Sequence, residues 1–477
     1  MKETFFITTG IPYVNARPHL GHVLEWFQVD ALARYHTLLG EEVRLTTGAD
    51  ENSLKNVQAA EKAKKPLQEW LDEYAAIFQQ TFSELGIEVT DFRRGSDQKL
   101  HWPGVQKLWQ LCDAAGDIYK KSYQGLYCIG CESFYTPEEL IDGKCPEHLT
   151  TPELIMEENY FFRLSNYQDR LQHLIESDKL HIVSEQYKQE MLGFLKQGLE
   201  DFSISRYAER SRGTGVPVPN DTTQVMYVWF DALAIYMTAI GWGYDQKQWE
   251  KFWPADVHVI GKGINRFHSI YWIAILLSAQ LPTPKMISVH GYVTANGQKM
   301  SKSLGNVIEP LALTKEYGVE PIRYYLLKEI PAHSDGDFSF DRFREVYTAD
   351  LANGLGNLCS RVAKLCEKSE LLTEIIKNFS FDTEYSAYFK LCETELAAKH
   401  VLAMIAAADK YLSEEKPWTQ TGHEQAATLH EAVRRILSIA YHLQPFMPHT
   451  AETILTHFNQ TNIKSLPPLF PRLPDAI

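Results

Sequence analysis

Apolar and β-branched residues run from Lys2 to Thr9, closed by Gly10 and Pro12, and predict a strand. A longer pattern from about His19 to Leu39 predicts a helix with Gly40 as C-cap, and Glu42 to Thr47 predicts a second strand. Strand, loop, helix and strand in that order predict an α/β fold with a doubly wound parallel sheet. From about residue 110 the pattern changes. Tyr123 to Thr151 is rich in Cys, Gly, Pro and Tyr and reads as a loop-rich insertion, with helical stretches around Gln168 to Asp178 and Glu185 to Leu199. The strand–helix alternation resumes with predicted strands at Val225 to Phe230, Val257 to Ile260 and Met286 to Val289, and a helix from about Asn265 to Gln280. After about Phe340 the strands stop and amphipathic helical patterns continue to about Phe458. Leu351, Leu355, Leu358, Val362 and Leu365, spaced four, three, four and three, form one apolar helix stripe. The expected organisation is a sheet domain over 1–110 and 215–340, split by a connective insertion over 111–214, then an all-α domain over 341–477.

A chain of 477 residues is too long for one core. Its 44% hydrophobic and 23% charged residues are ordinary for a globular protein. No apolar run reaches 18 residues and the N-terminus lacks a long apolar region, so no membrane span, no signal peptide and a cytoplasmic location are expected. A net charge of −14 disfavours a surface coated in non-specific nucleic-acid contacts, and no DNA partner is expected, but a local basic stripe for one RNA remains possible. Of seven cysteines, Cys112, Cys359, Cys366 and Cys392 fall in helical apolar patterns and are expected to pack. No appended domain is visible after the helical region, and a monomer is expected.

His19 and His22 stand three apart at a predicted helix start and share one face, while Gly21 lets a ligand approach the backbone. A helix N-terminus attracts phosphate, and two imidazoles there can donate to charge developing on a phosphoryl group. About 280 residues later, Lys299-Met300-Ser301-Lys302-Ser303, bracketed by Gly297 and Gly305, suits a mobile loop presenting charge to a polyphosphate. Each segment alone has a plainer reading, as packing histidines or as a solvated loop. Each also follows a predicted strand of one sheet, so both are expected at its carboxyl edge, where such sheets bind ligands. Together they point to ATP activation of a carboxylate.

Cys128-x2-Cys131, thirteen residues, then Cys145-x2-His148 is a Cys3His set that can close around one tetrahedral, structural Zn²⁺.

The His19-Leu20-Gly21-His22 and Lys299 to Ser303 segments resemble the two signatures of class I aminoacyl-tRNA synthetases, whose sheet is Rossmann-like. The resemblance implies attack of an amino-acid carboxylate on the α-phosphate of ATP, with Mg²⁺. His19, Gly21 and His22 would stand on one side of the nucleotide and Lys299, Ser301 and Lys302 on the other. Along nearly the whole chain the sequence is similar to the methionyl-tRNA synthetase family, through Ile11 to Asn15, Thr47 to Glu51, Tyr227 to Leu233 and Arg266-Phe267-His268. By that resemblance, the Ile11 carbonyl and the Asp50 carboxylate hold the substrate ammonium. Tyr13, Trp229, Ala232, Tyr236 and His268 surround the thioether, and Arg206 lies near the substrate carboxylate. The cysteine–histidine set resembles the family's one-zinc knuckle, which helps place the tRNA acceptor end. Asn357 and Arg361, one helical turn apart, and Trp418 after Lys416-Pro417 resemble its anticodon-reading segments and imply tRNA(Met) with a CAU anticodon.

Two positions depart from the family pattern. Asn52-Ser53 replaces His-Gly after the Asp-Glu pair, and Gly263 replaces an aspartate expected to pair with Arg206, unless Asn265 substitutes. The implied activity is a methionine–tRNA ligase. Two other readings stay open: a divergent paralogue that adenylates an amino acid for a non-tRNA acceptor, which Gly263 favours and Trp418 opposes, and a tRNA-binding module with a dead active site. A large editing insertion, expected for leucine or valine specificity, has no room in the connective segment.

Overall fold

The computed structural model describes residues 2–129, 133–147, 149–299 and 308–473. The chain divides into two compact units. One comprises the residues up to Pro18 and Gly40–Val289; the other comprises His19–Leu39 and the residues from His290 onward.

The first unit is built on a six-stranded sheet: β1 Thr4–Thr9, β2 Glu42–Ala49, β3 Asp91–Arg94, β4 His181–Ile182, β5 Val257–Gly261 and β6 Met286–His290. Its order is β3-β2-β1-β5-β6-β4. β1 pairs in parallel with β2 and with β5, β2 with β3, and β6 with β4. This is the Rossmann-like parallel sheet the sequence predicts. The strand order reverses between β1 and β5, which makes the carboxyl ends of β1, β2 and β5 the place for a ligand. The central strands read as continuous apolar runs because both faces are covered: Phe6, Ile7, Val259 and Ile260 are at most 1% exposed.

Residues 118–203 contribute a second, antiparallel sheet, although His181–Ile182 among them belongs to the large one. Ile118–Cys128 pairs with Glu153–Phe162 from Ile118↔Phe162 to Tyr127↔Glu153, flanked by Ser133–Tyr135 and Phe202–Ser203. The two sheets share a core. Phe162, Leu171, Ile175 and Tyr187 join Phe6, Trp109, Trp272 and Ile287 in one buried cluster. Each such side chain contributes about 1.5–3 kcal/mol by leaving water.

One predicted strand needs correction. The apolar run Val225 to Phe230 is not a single strand. A strand spans Asp221–Met226, and a helix begins at Val228 and runs to Thr238. Periodicity cannot separate a buried strand from a buried helix over so short a run. The apolar residues continue through Ala232, Leu233, Ala234 and Ile235, which gives the helix enough length to win.

In the second unit, the helix Leu20–Leu38 is tied to the helix Val319–Glu329 by a buried ion pair. Asp30 Oδ2 lies 2.6 Å from Arg323, both side chains are 2% exposed, and Arg323 also donates to the Pro445 carbonyl at 2.8 Å. Removing one partner of such a pair costs about 3–5 kcal/mol. Helices Phe340–Val346, Asn357–Lys368, Thr383–Lys390, Thr394–Glu415, Gly422–Leu443 and Pro448–Phe458 belong to the helical part. Of the predicted stripe, Leu351, Leu355, Leu358 and Val362 are buried and Leu365 is half-buried. Cys112, Cys359, Cys366 and Cys392 are buried as expected.

The lysine segment does not follow directly from the large sheet. Val293–Ala295 and Gln298–Lys299 form a hairpin that pairs with Gly336–Phe338 instead. Asn296 and Gly297, at φ 51° and 74°, make its turn, as an Asn-Gly pair favours.

Candidate active site

His19 is the N-cap of the helix Leu20–Leu38. The Gly21 N–H donates to His19 Nδ1 at 3.1 Å, and the His19 N–H donates to His22 Nδ1 at 3.2 Å. The two rings stack with centroids 3.9 Å apart. A Cβ on Gly21 would lie 3.0 Å from His19 Cε1, so glycine is what lets the ring fold back over the helix start. Desolvation lowers both pKa values, that of His22 to well below the usual imidazole range, helped by the neighbouring His19 and His290. Both rings are therefore neutral at pH 7. Because each Nδ1 is an acceptor, each Nε2 carries the proton. The pair stands at a helix N-terminus, a position that suits an anionic phosphoryl oxygen.

Lys299 ends the hairpin described above, and its main chain pairs with Thr294. Ser301 and Lys302 lie outside the described residues. The hairpin is fixed by Asp337, which accepts from Thr294 Oγ1 at 2.6 Å and from the Gly297 N–H at 2.7 Å.

The residues assigned to methionine lie in the first unit at the carboxyl ends of three neighbouring strands. Ile11 and Tyr13 follow β1, Asp50 follows β2, and His268 follows β5. Tyr13 and Asp50 form an isolated parallel bridge, with the Asp50 N–H donating to the Pro12 carbonyl at 2.9 Å. Asp50 is 3% exposed. Trp229, Ala232 and Tyr236 share one face of the helix Val228–Thr238. The Trp229 ring stacks on Phe267 at 3.9 Å and meets His268 edge-on. His268 Nδ1 lies 2.9 Å from the Ile264 carbonyl, so Nδ1 is the donor and Nε2 accepts from the Tyr236 hydroxyl at 2.8 Å. This locked pair and the aromatic faces make an apolar, polarizable lining.

Both departures from the family pattern have local answers. Asn52 Nδ2 donates to Asp231 Oδ2 at 2.6 Å and to the Gly95 carbonyl at 2.9 Å, while Ser53 caps the helix Leu54–Lys62. Asp231 is 1% exposed and its other oxygen meets His101 Nε2 at 2.6 Å. The network thus fixes the helix that carries Trp229, Ala232 and Tyr236. The expected shortfall at Arg206 is also corrected. Its guanidinium donates to the Tyr127 hydroxyl at 2.7 Å and lies over the rings of Tyr127 and Tyr227. Asn265 is turned to another task, accepting from Ser269 Oγ at 2.6 Å.

Cys128 and Cys145 are buried, and Thr150 links them: its hydroxyl lies 3.8 Å from Cys128 Sγ, and its carbonyl accepts from the Cys145 N–H. Cys131 and His148 lie outside the described residues. Among the described residues no group of three metal-binding side chains occurs, since only half of the predicted set is described.

The family model for class I tRNA synthetases (M) matches residues 5–151 and 136–363, and that for the anticodon binding domain of methionyl tRNA ligase matches 363–468. This chain belongs to the methionyl class I tRNA synthetases. A methionine–tRNA ligase of Clostridium acetobutylicum is 40% identical over 478 residues, covering 96% of this chain and 74% of the relative. One from Brucella suis is 38% identical, covering 95% and 91%. Among solved structures, Mycobacterium tuberculosis methionyl-tRNA synthetase in complex with methionyl-adenylate superposes with a TM-score of 0.91 at 34% identity, covering 98% of this chain and all of that one.

In the helical part of this methionyl synthetase, the structure brings Arg361 and Trp418 together. Arg361 lies 5.5 Å from the Trp418 ring and bonds Asp409 at 2.8 Å, while Trp418 is 49% exposed. Asn357 is exposed one turn before Arg361. Sequence reasoning gave no role to Asp231, His101 or Tyr127. A lone acid inside the apolar helix Val228–Thr238 was the available signal for the first, because a buried carboxylate needs partners. No local pattern marks the other two.

Proposed function

We infer that this chain is a methionine–tRNA ligase with ATP as a substrate. The observation that carries it is the continuous match, from the synthetase model into the methionyl anticodon domain. In the first step a methionine carboxylate oxygen bonds to the α-phosphorus of ATP. The bond to the bridging oxygen breaks, pyrophosphate leaves, and methionyl-adenylate remains. In the second, a hydroxyl of the terminal ribose of tRNA attacks the methionyl carbonyl and AMP leaves. No enzyme nucleophile is needed, so positioning and charge stabilisation carry the rate.

We assign the Nε2–H groups of His19 and His22 to phosphoryl oxygens, with Lys299, Ser301 and Lys302 on the triphosphate and Mg²⁺ accompanying it. Asp50 and the Ile11 carbonyl take the methionine ammonium. Tyr13, Trp229, Ala232, Tyr236 and His268 take the thioether, and Arg206 the carboxylate. Residues 111–214 form the connective insertion in this reading. One structural Zn²⁺ sits on Cys128, Cys131, Cys145 and His148. The burial of Cys128 and Cys145 around a common Thr150 fits such an ion, and thiolates with an imidazole suit zinc. Asn357, Arg361 and Trp418 read a CAU anticodon.

Methionine-dependent ATP–pyrophosphate exchange followed by charging of tRNA(Met) tests the reading. Exchange with methionine and transfer only to a CAU transcript are expected. Exchange without transfer to any tRNA would favour the paralogue, and tRNA binding without exchange the dead module.

A further inference from the structure

We propose that Asn52 is a positioning residue that sets which side-chain length the amino-acid pocket accepts, by tying the Asp50 segment to the helix Val228–Thr238 through Asp231. The inference rests on the reading above that Asp50 takes the ammonium and that this helix presents Trp229, Ala232 and Tyr236 to the thioether.

Asn52 is anchored on both sides. Its buried neighbour Glu51 accepts from Arg94 Nε at 2.7 Å and from the Ser96 N–H at 3.0 Å. Asn52 Nδ2 donates to the Gly95 carbonyl at 2.9 Å, so the loop that carries Asp50 is held at the end of β3. The same nitrogen reaches across to Asp231 Oδ2 at 2.6 Å. Both partners are acceptors, which fixes the amide with its nitrogen on that side. On the helix, His101 Nε2 meets the other Asp231 oxygen at 2.6 Å, and its Nδ1 meets Thr238 Oγ1 at 2.7 Å. Asp231 and Thr238 stand about two turns apart and share one face. Trp229, Ala232 and Tyr236 lie on the other side of the helix.

Packing fixes how closely this helix lies against its neighbours. A Cβ on Gly104 would fall 2.5 Å from Thr238 Cγ2, and one on Gly48 would fall 2.8 Å from Ile235 Cγ2, so both glycines admit the helix at close range. Apolar contact is non-directional, whereas a hydrogen bond has a direction. The bonds at Asp231 and Thr238 therefore set the turn of the helix about its own axis. That turn swings Trp229, Ala232 and Tyr236 toward or away from Asp50. The span between the ammonium acid and the thioether lining is the length of side chain the pocket accepts. Histidine, the residue of the family pattern at this position, can place an Nδ1–H where Asn52 holds Nδ2 and so make the same link to Asp231.

The test is ATP–pyrophosphate exchange with methionine and with ethionine, which is one methylene longer. A hydrophobic pocket separates such a pair by about 10–200-fold. Asn52→Ala should raise KM for methionine roughly tenfold, leave KM for ATP unchanged and cut the preference for methionine over ethionine by roughly tenfold. Asn52→His should keep the parent's preference. Asp231→Asn, which keeps the shape and weakens the link, should shift the preference in the same direction as Asn52→Ala. Asn52→Ala and Asp231→Asn together should lose less than the product of the single effects. An unaltered preference in Asn52→Ala, an equal loss in Asn52→His, or independent effects of the two substitutions would overturn the proposal. Trp229→Ala separates the proposal from the reading beneath it. Unchanged methionine KM in that variant, or no methionine-dependent exchange in the unmodified chain, would overturn the reading itself. A thermal midpoint close to the parent's confirms that Asn52→Ala folds. If it does not fold, Asn52→His and Asp231→Asn decide by the same comparison of methionine with ethionine.

Discussion

His19 has two jobs that one substitution can separate. Its Nδ1 caps the helix Leu20–Leu38 by accepting from Gly21, and its Nε2–H is left for a ligand. Asparagine is as good an N-cap as any residue but carries no outward donor at the Nε2 position. His19→Asn should therefore leave the thermal midpoint within about 2 °C, as a preserved cap implies. It should lower kcat for ATP–pyrophosphate exchange by roughly 10²-fold, the scale for one donor aimed at developing charge. His22→Ala should fall at least as far, with tRNA binding nearly intact. A rate that tracks the midpoint, rather than falling alone, would reduce His19 to a cap. At this scale the two candidate histidines and their place at the helix start were legible, because two histidines around a glycine stand out from the apolar pattern. Their supports were not. Asn52 meets Asp231 across 179 positions and Arg206 meets Tyr127 across 79, and no local pattern announces a pair so far apart.

Elements were legible in proportion to their length. The helix Leu20–Leu38 and the stripe through Leu351 to Val362 repeat their period several times. The run at Val225 holds too few residues to show one, and its second half proved helical. The cysteine–histidine segment is the opposite case, a short element defined by ligand spacing rather than periodicity. Ile141 and Lys144 bridge across a turn in which Asp142 and Gly143 have φ 50° and 71°, and this delivers Cys145 to its place near Thr150. In the proposed reading, a bound Zn²⁺ would supply order to this segment. Metal analysis of the purified chain should give one zinc per chain. Cys145→Ala should lose it, lower the thermal midpoint and raise proteolytic cleavage within residues 129–150. Full retention of the metal in that variant would remove Cys145 from the ligand set.

For the molecule as a whole, the buried histidines set how stability responds to acid. His258 is 0% exposed, lies 2.6 Å from Thr8 Oγ1 through its Nδ1, and stacks on Tyr236 at 4.6 Å. Burial holds its pKa well below 6.5, with the nearby His268 adding to the shift, and His19, His22 and His442 are lowered in the same sense. A base whose folded pKa is depressed binds its proton more readily when unfolded. The unfolded chain therefore takes up protons first as pH falls below 6.5, and stability is full above that value and declines below it. For His258 alone, lowering the pH to 5.5 should cost about 1.4 kcal/mol if the folded ring stays neutral. Burial raises the carboxyls of Glu51, Asp91 and Glu190, which acts in the opposite sense as pH falls, so the His258 contribution is read from a variant rather than from the parent alone. The thermal midpoint should drop as pH falls from 7.5 to 5.5. His258→Gln, which keeps a hydrogen-bonding group beside Thr8 but has no proton to gain, should start less stable at pH 7.5 and show a shallower drop. Parallel curves for the two proteins would mean that His258 takes up its proton in the folded state as easily as in the unfolded one. The lining of Tyr236 and His268 would then be wetter than its burial implies.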